Sequence, residues 1–86
     1  MLVTNLKAIS DASFKSEVLE AAGPVLVCYM DDACAPPAFL DQFAEYYSGR
    51  LTIVTLNMDE NPITPAKYGV GKAPMLMLFK DKRSFS

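Results

Sequence analysis

Strands alternating with helices, an α/β fold, is what the sequence predicts, and three observations carry it. Val25-Leu26-Val27-Cys28-Tyr29-Met30, Leu51-Thr52-Ile53-Val54-Thr55-Leu56 and Ala73-Pro74-Met75-Leu76-Met77-Leu78-Phe79 are uncharged runs of strand length. Uncharged runs suit strands buried on both faces between helix layers. The segments between them carry apolar residues at helical spacing. Glycine and proline stand at the joints.

Taken in order, Leu2-Val3 followed by polar Thr4-Asn5 reads as a short edge strand. Ser10 or Asp11 is placed to cap a helix, because either side-chain oxygen can accept from the free N–H groups of a first turn. Phe14, Val18, Leu19 and Ala22 then recur at helical spacing until Gly23-Pro24 ends the segment. The first strong strand follows at 25–30. Pro36 and Pro37 mark the start of a second helix, since a first turn leaves N–H groups unpaired and tolerates residues that lack them. Phe39, Leu40, Phe43, Ala44 and Tyr47 form its apolar face, and Gly49 stops it. The second strong strand, 51–56, ends in Asn57-Met58-Asp59-Glu60-Asn61-Pro62. A short helix over 63–68 with Gly69 after it leads to the third strong strand, and Lys80-Asp81-Lys82-Arg83 reads as a turn. The order is β-α-β-α-β-α-β, with no internal repeat or linker.

Composition narrows the function. The 86 residues give one domain, 1–86, with 51% hydrophobic and 21% charged residues, an ordinary globular balance. Net charge is −2 and the eight basic residues are scattered, so no basic stripe exists to displace counterions and nucleic-acid binding is not expected. No apolar run approaches the roughly 20 residues a bilayer span needs. The N-terminus lacks a basic segment followed by a long apolar one, so a cytosolic location is expected. Two cysteines six positions apart make no disulfide framework, and without histidine a zinc site lacks ligands. Neither a metal nor a cofactor is expected.

The chemistry concentrates in Cys34-Ala35-Pro36-Pro37, between the first strong strand and the helix. That is where a redox protein carries C-x-x-C, and the second cysteine here is Pro37. A dithiol site needs one thiolate to attack a disulfide and a second thiol to release the mixed disulfide that forms. Cys34 is suited to the first step, and no cysteine follows it to perform the second. A helix N-terminus beside Cys34 favours the thiolate, while Asp31 and Asp32 favour the neutral thiol. Cys28, mid-strand, reads as a small buried hydrophobe rather than a redox partner. The Asp31-Asp32 and Asp59-Glu60 pairs read as solvated loop charges, and Met30, Met58, Met75 and Met77 as core or groove residues.

From about residue 11 to 82 the chain resembles thioredoxin. The resemblance is carried by Ser13-Phe14, Glu17-Val18-Leu19, Pro24-Val25-Leu26-Val27, Phe43-Ala44-Glu45-Tyr46-Tyr47, Leu56-Asn57-Met58-Asp59-Glu60-Asn61-Pro62, Lys67-Tyr68-Gly69-Val70 and the run from Ala73 to Lys80. The combination of Asn57-x-Asp59-Glu60-Asn61-Pro62, then Tyr68-Gly69-Val70, then a strand opened by proline is specific. The resemblance implies a three-layer fold with a mixed central sheet. It also implies a role in redox homeostasis and a groove for client proteins formed by Ala33, Ala35, Pro36, Ala73 and Pro74, with Pro74 matching the family's cis-proline.

The departures cluster at the chemistry. The family's motif reads W-C-G-P-C-K, and here Ala33, Ala35, Pro37 and Ala38 replace the tryptophan, the glycine, the second cysteine and the lysine. A buried aspartate that assists the inner thiol in the family is Cys28. Without an inner thiol that aspartate would be an unpaired buried charge, so its loss is coherent. The family fold also closes with one more strand and a helix over one face of the sheet. Both are expected to be missing here, leaving the Pro74 strand as an open edge and one sheet face uncovered, which implies either a homodimer that buries this surface or a fragment of a longer chain. Two functions stand: a single-thiol redox protein with impaired or absent disulfide reductase activity, and a non-catalytic module that binds proteins around Pro36 and Pro74. A monothiol iron–sulfur carrier has too few ligands in one cysteine.

Overall fold

The computed structural model of the chain describes residues 6–33, 37–47, 49–81 and 83–85. Its strands are β1 (Lys7–Ile9), β2 (Val25–Met30), β3 (Thr52–Asn57), β4 (Met75–Lys80) and β5 (Arg83–Phe85), and its α-helices are α1 (Phe39–Tyr46) and α2 (Ile63–Lys67). They form one sheet in the order β1-β3-β2-β4-β5. β1 and β2 both run parallel to β3, while β4 is antiparallel to β2 and β5 to β4, which makes the sheet mixed.

Strand alternation sorts the side chains onto two faces. Val25, Val27 and Tyr29 of β2 align with Val54 and Leu56 of β3 and with Met77 and Phe79 of β4, and this face forms the main core with Ile9, Phe14, Val18 and Val70. Three rings tie its layers together. Phe14 meets Phe79 edge-on at 5.4 Å between centroids, Tyr68 meets Phe79 edge-on at 5.1 Å, and Phe14 lies 5.6 Å from Tyr68. Such pairs add about 0.5–1.5 kcal/mol beyond the area they bury. On the opposite face α1 buries Leu40 and Ala44, and Cys28 and Ile53 are buried there too. Leu26 and Leu78 remain half-buried and Leu76 is exposed.

Several expectations are corrected. The first described strand is Lys7–Ile9; the expected Leu2-Val3 strand lies outside the described residues. The helix expected through Ala22 is shorter: a π-helical segment, Lys15–Leu19, closed by the Glu20 N–H donating to the Lys15 carbonyl at 2.9 Å. Neither candidate caps this segment, whose N-cap is Phe14 with no side-chain cap hydrogen bond. Ser10 closes the turn ahead of it, its N–H donating to Ser13 Oγ at 2.9 Å and its Oγ accepting the Ser13 N–H at 3.3 Å. Asp11 caps α2 instead, accepting from the Thr64 and Ile63 N–H groups at 2.8 and 3.1 Å. Beyond the turn the chain does not stop as loop. Arg83 pairs with Lys80, Ser84 with Phe79 and Phe85 with Leu78, so the strand expected to be missing is present and the second half of β4 is not an open edge.

Local chemistry explains the boundaries that were anticipated. Gly69, at φ 73°, lets α2 close with the Val70 N–H on the Pro65 carbonyl at 2.8 Å and its own N–H on the Ala66 carbonyl at 3.3 Å. This is a Schellman closure, and its left-handed residue is the one position there where a Cβ is costly. Gly49, at φ 84°, plays the same conformational part after α1.

Candidate functional site

The C-terminal ends of β2 and β3 and the start of antiparallel β4 lie at one end of the sheet, because Tyr29 pairs with Leu56 on one side and with Met75 on the other. Three segments therefore converge there: residues 31–33 leaving β2, residues 58–61 leaving β3, and residues 71–74 entering β4. A cleft of about 290 Å³ opens beside them against α2, with Asp31, Met58, Asp59, Pro65, Ala66 and Lys72 in its walls. Of the candidate groove residues, Ala33 and Pro74 are exposed and Ala73 is half-buried; the Ala73–Pro74 peptide bond is cis. Cys34, Ala35 and Pro36 lie outside the described residues. Pro37 is half-buried just ahead of α1, and its carbonyl accepts the Leu40 N–H at 3.0 Å.

The segment leading to Cys34 is held by hydrogen bonds from two sides. Within it, the Ala33 N–H donates to Asp31 Oδ1 at 3.0 Å. From the β3 side, the Met58 N–H donates to the Met30 carbonyl at 2.7 Å, Asp59 Oδ2 accepts the Asp32 N–H at 2.8 Å, and Asn57 Nδ2 donates to Asp32 Oδ1 at 2.9 Å. Asn57 is itself fixed, its Oδ1 accepting the N–H groups of Asp59 and Glu60 at 2.8 and 3.3 Å. Asn61 extends the chain of contacts: its N–H and Nδ2 both donate to the Asn57 carbonyl, and its Oδ1 accepts the Asp11 N–H at 2.8 Å. Of the carboxylates read from sequence as solvated charges, Asp32, Asp59 and Glu60 are exposed and Asp31 is half-buried, and Asp32 and Asp59 are also joined across the two loops.

Burial decides what the remaining polar groups of β2 can do. Cys28 has no exposed surface, so it presents no sulfur to a client disulfide. Tyr29 is also fully buried, and its hydroxyl is without a hydrogen-bond partner among the described residues. Burial first, and the neighbouring Tyr68 second, push its pKa well above the ordinary phenol range. For Asp11 burial again acts upward, but the hydrogen bonds from Thr64 and Ile63 outweigh it and hold the carboxyl below its usual value. Among the described residues no group of three or more histidine, cysteine, aspartate or glutamate side chains is placed to hold a metal, and no helix is long and apolar enough to cross a membrane.

The family model for thioredoxin matches residues 5–86. The chain belongs to the thioredoxin family. It is 51% identical over 77 residues to a thioredoxin of Pseudomonas aeruginosa, spanning 85% of this chain and 71% of that protein. It is 44% identical over 81 residues to a thioredoxin of Rhodospirillum rubrum, covering 88% of this chain and 77% of the relative. A thioredoxin of Thiocapsa roseopersicina is 46% identical over 74 residues, 81% of each chain. Asn57, the last residue of β3, is a hydrogen-bonding residue beside the site that sequence reading did not single out; its Oδ1 folds back onto its own loop, as an Asn two residues before an Asp can.

Proposed function

We propose that this thioredoxin-family protein acts in redox homeostasis through a single attacking thiol, Cys34, and that its protein-disulfide reductase activity is impaired or absent. The observation that supports this most directly is Pro37, which stands before α1 where the second cysteine of C-x-x-C belongs. In the first step the Cys34 thiolate attacks one sulfur of a client disulfide, the Cys34–client S–S bond forms, and the client's other sulfur leaves as a thiolate. Release then requires a thiol from outside the chain, such as a small-molecule thiol, because Cys28 is buried. A reducing cytosol suits a thiol that must stay reduced. Clients reach it along the groove of Ala33, Ala35, Pro36, Ala73 and Pro74, and the apolar face of α1 serves self-association.

A non-catalytic protein-binding module is the second reading, favoured by the exposure of Pro74 beside a motif that has lost its resolving thiol. Reduction of insulin with a supplied reductant separates the two. Measurable but slow reduction that disappears in Cys34→Ser supports the redox reading. No reduction, with Cys34 resisting alkylation, would sink it in favour of the binding module.

A further inference from the structure

We propose that Met58 is a modification site, oxidised by peroxide to the sulfoxide and reduced back, and that the modification loosens α2. The sequence assigns four methionines to core or groove. Met77 is buried, at 6% exposure, while Met30, Met58 and Met75 are half-buried. Of the four, Met58 lines the cleft, sharing its walls with Pro62, Pro65, Ala66 and Val70. It also packs against the main core. Its side chain therefore meets solvent in the cleft and apolar neighbours beneath it, a combination that Met77 lacks.

The chemistry is a two-electron oxygen transfer. The thioether sulfur attacks one oxygen of hydrogen peroxide, the O–O bond breaks and an S–O bond forms, so the sulfur becomes a sulfoxide while the peroxide is reduced to water. A thiol-dependent sulfoxide reductase reverses the step, releasing the oxygen as water. The sulfoxide is polar where the thioether was apolar, and its oxygen is costly to bury among apolar side chains. The backbone gives Met58 little freedom to swing outward. Its N–H donates to the Met30 carbonyl at 2.7 Å, and the N–H of the next residue, Asp59, is held by Asn57 Oδ1 at 2.8 Å. The disturbance falls on Val70, which belongs to both the cleft wall and the core and whose N–H closes α2 on the Pro65 carbonyl at 2.8 Å.

The test treats the whole chain with hydrogen peroxide and maps sulfoxides by peptide mass. Met58 should oxidise at least about tenfold faster than Met77. The oxidised protein should show about tenfold faster amide exchange at Val70 and a urea midpoint lower by about 0.5 M. Sulfoxide reductases of both stereospecificities should restore both readings. Met58→Leu keeps an apolar side chain of similar volume and should abolish both peroxide effects, whereas Met58→Gln should reproduce them without peroxide. Equal oxidation of Met58 and Met77 would overturn the site, and full Met58 oxidation with unchanged Val70 exchange would overturn its link to α2. Peroxide effects that persist in Met58→Leu would belong to another sulfur, Cys34 among them, and would overturn the proposal as well.

Discussion

Pro37 has a ring and no thiol at the position from which a family member would release its own trapped client. Restoring the sulfur is the most specific residue-scale change available. Pro37→Cys is expected to raise insulin reduction with a supplied dithiol at least about tenfold over the parent chain; an unchanged rate would mean that the surroundings of Cys34, and not the missing thiol, limit turnover. Tyr29 offers a second test with an opposite sign. Its hydroxyl is buried and has no hydrogen-bond partner among the described residues, so Tyr29→Phe removes an uncompensated desolvation and keeps the ring. Urea unfolding should show stabilisation of about 1 kcal/mol, and a loss of stability of that size would show that the hydroxyl has a partner that matters.

At the scale of elements, the three strong strands were legible because uncharged runs of six residues leave little alternative, and α1 and α2 were legible because Gly49 and Gly69 stop them. The rest was hidden for physical reasons. Lys7-Ala8-Ile9 is a strand only because β3 offers it a parallel partner, and nothing in three residues with two exposed side chains announces that. Asp11 looked like a local cap, yet its oxygens serve a helix more than fifty residues away, a pairing that only the tertiary structure creates. That long-range cap can be measured. Asp11→Ala should cost about 1–2 kcal/mol. Because hydrogen bonding holds the Asp11 pKa below its unfolded value, its contribution is present above about pH 4 and is lost as pH falls through the lower folded value. Asp11→Asn should accordingly flatten the acid side of the stability–pH curve, and an unchanged slope would place acid sensitivity elsewhere. In the β4–β5 turn, Asp81 sits at φ 54°, a left-handed conformation that glycine adopts without penalty. Asp81→Gly is expected to stabilise the hairpin by up to about 1 kcal/mol, read as a higher denaturant midpoint at unchanged slope.

Over the whole molecule the sheet is covered unequally. One face has the aromatic trio and α2 upon it, while on the other α1 leaves Phe39 52%, Phe43 40% and Tyr46 70% exposed, and Leu76 37% exposed on β4. Arg50 shields part of this surface, its guanidinium lying 5.8 and 5.5 Å from the ring centres of Tyr46 and Tyr47. A hollow of about 370 Å³ remains between Phe39, Phe43 and Tyr47. Self-association by this face predicts a dimer in sedimentation at micromolar concentration that Phe39→Ser with Phe43→Ser dissociates; a compact monomer for the unsubstituted chain would count against it. The groove was read from the residues that resemble the family; Ala33 follows β2 and Ala73 and Pro74 precede β4, while Ala35 and Pro36 lie outside the described residues. The clamp on Asp32 was not legible, since it depends on the two loops being brought together by strands β2 and β3 running parallel in register.

The central claim is an attack without an internal release, and intact-mass analysis reads it directly. The reduced protein is mixed with a peptide carrying one disulfide, with no other thiol present. The account predicts a one-to-one adduct on Cys34 that persists until an external thiol is added, with one peptide thiol freed per protein. Full reduction of the peptide with no lasting adduct, or no adduct under any condition, would contradict it.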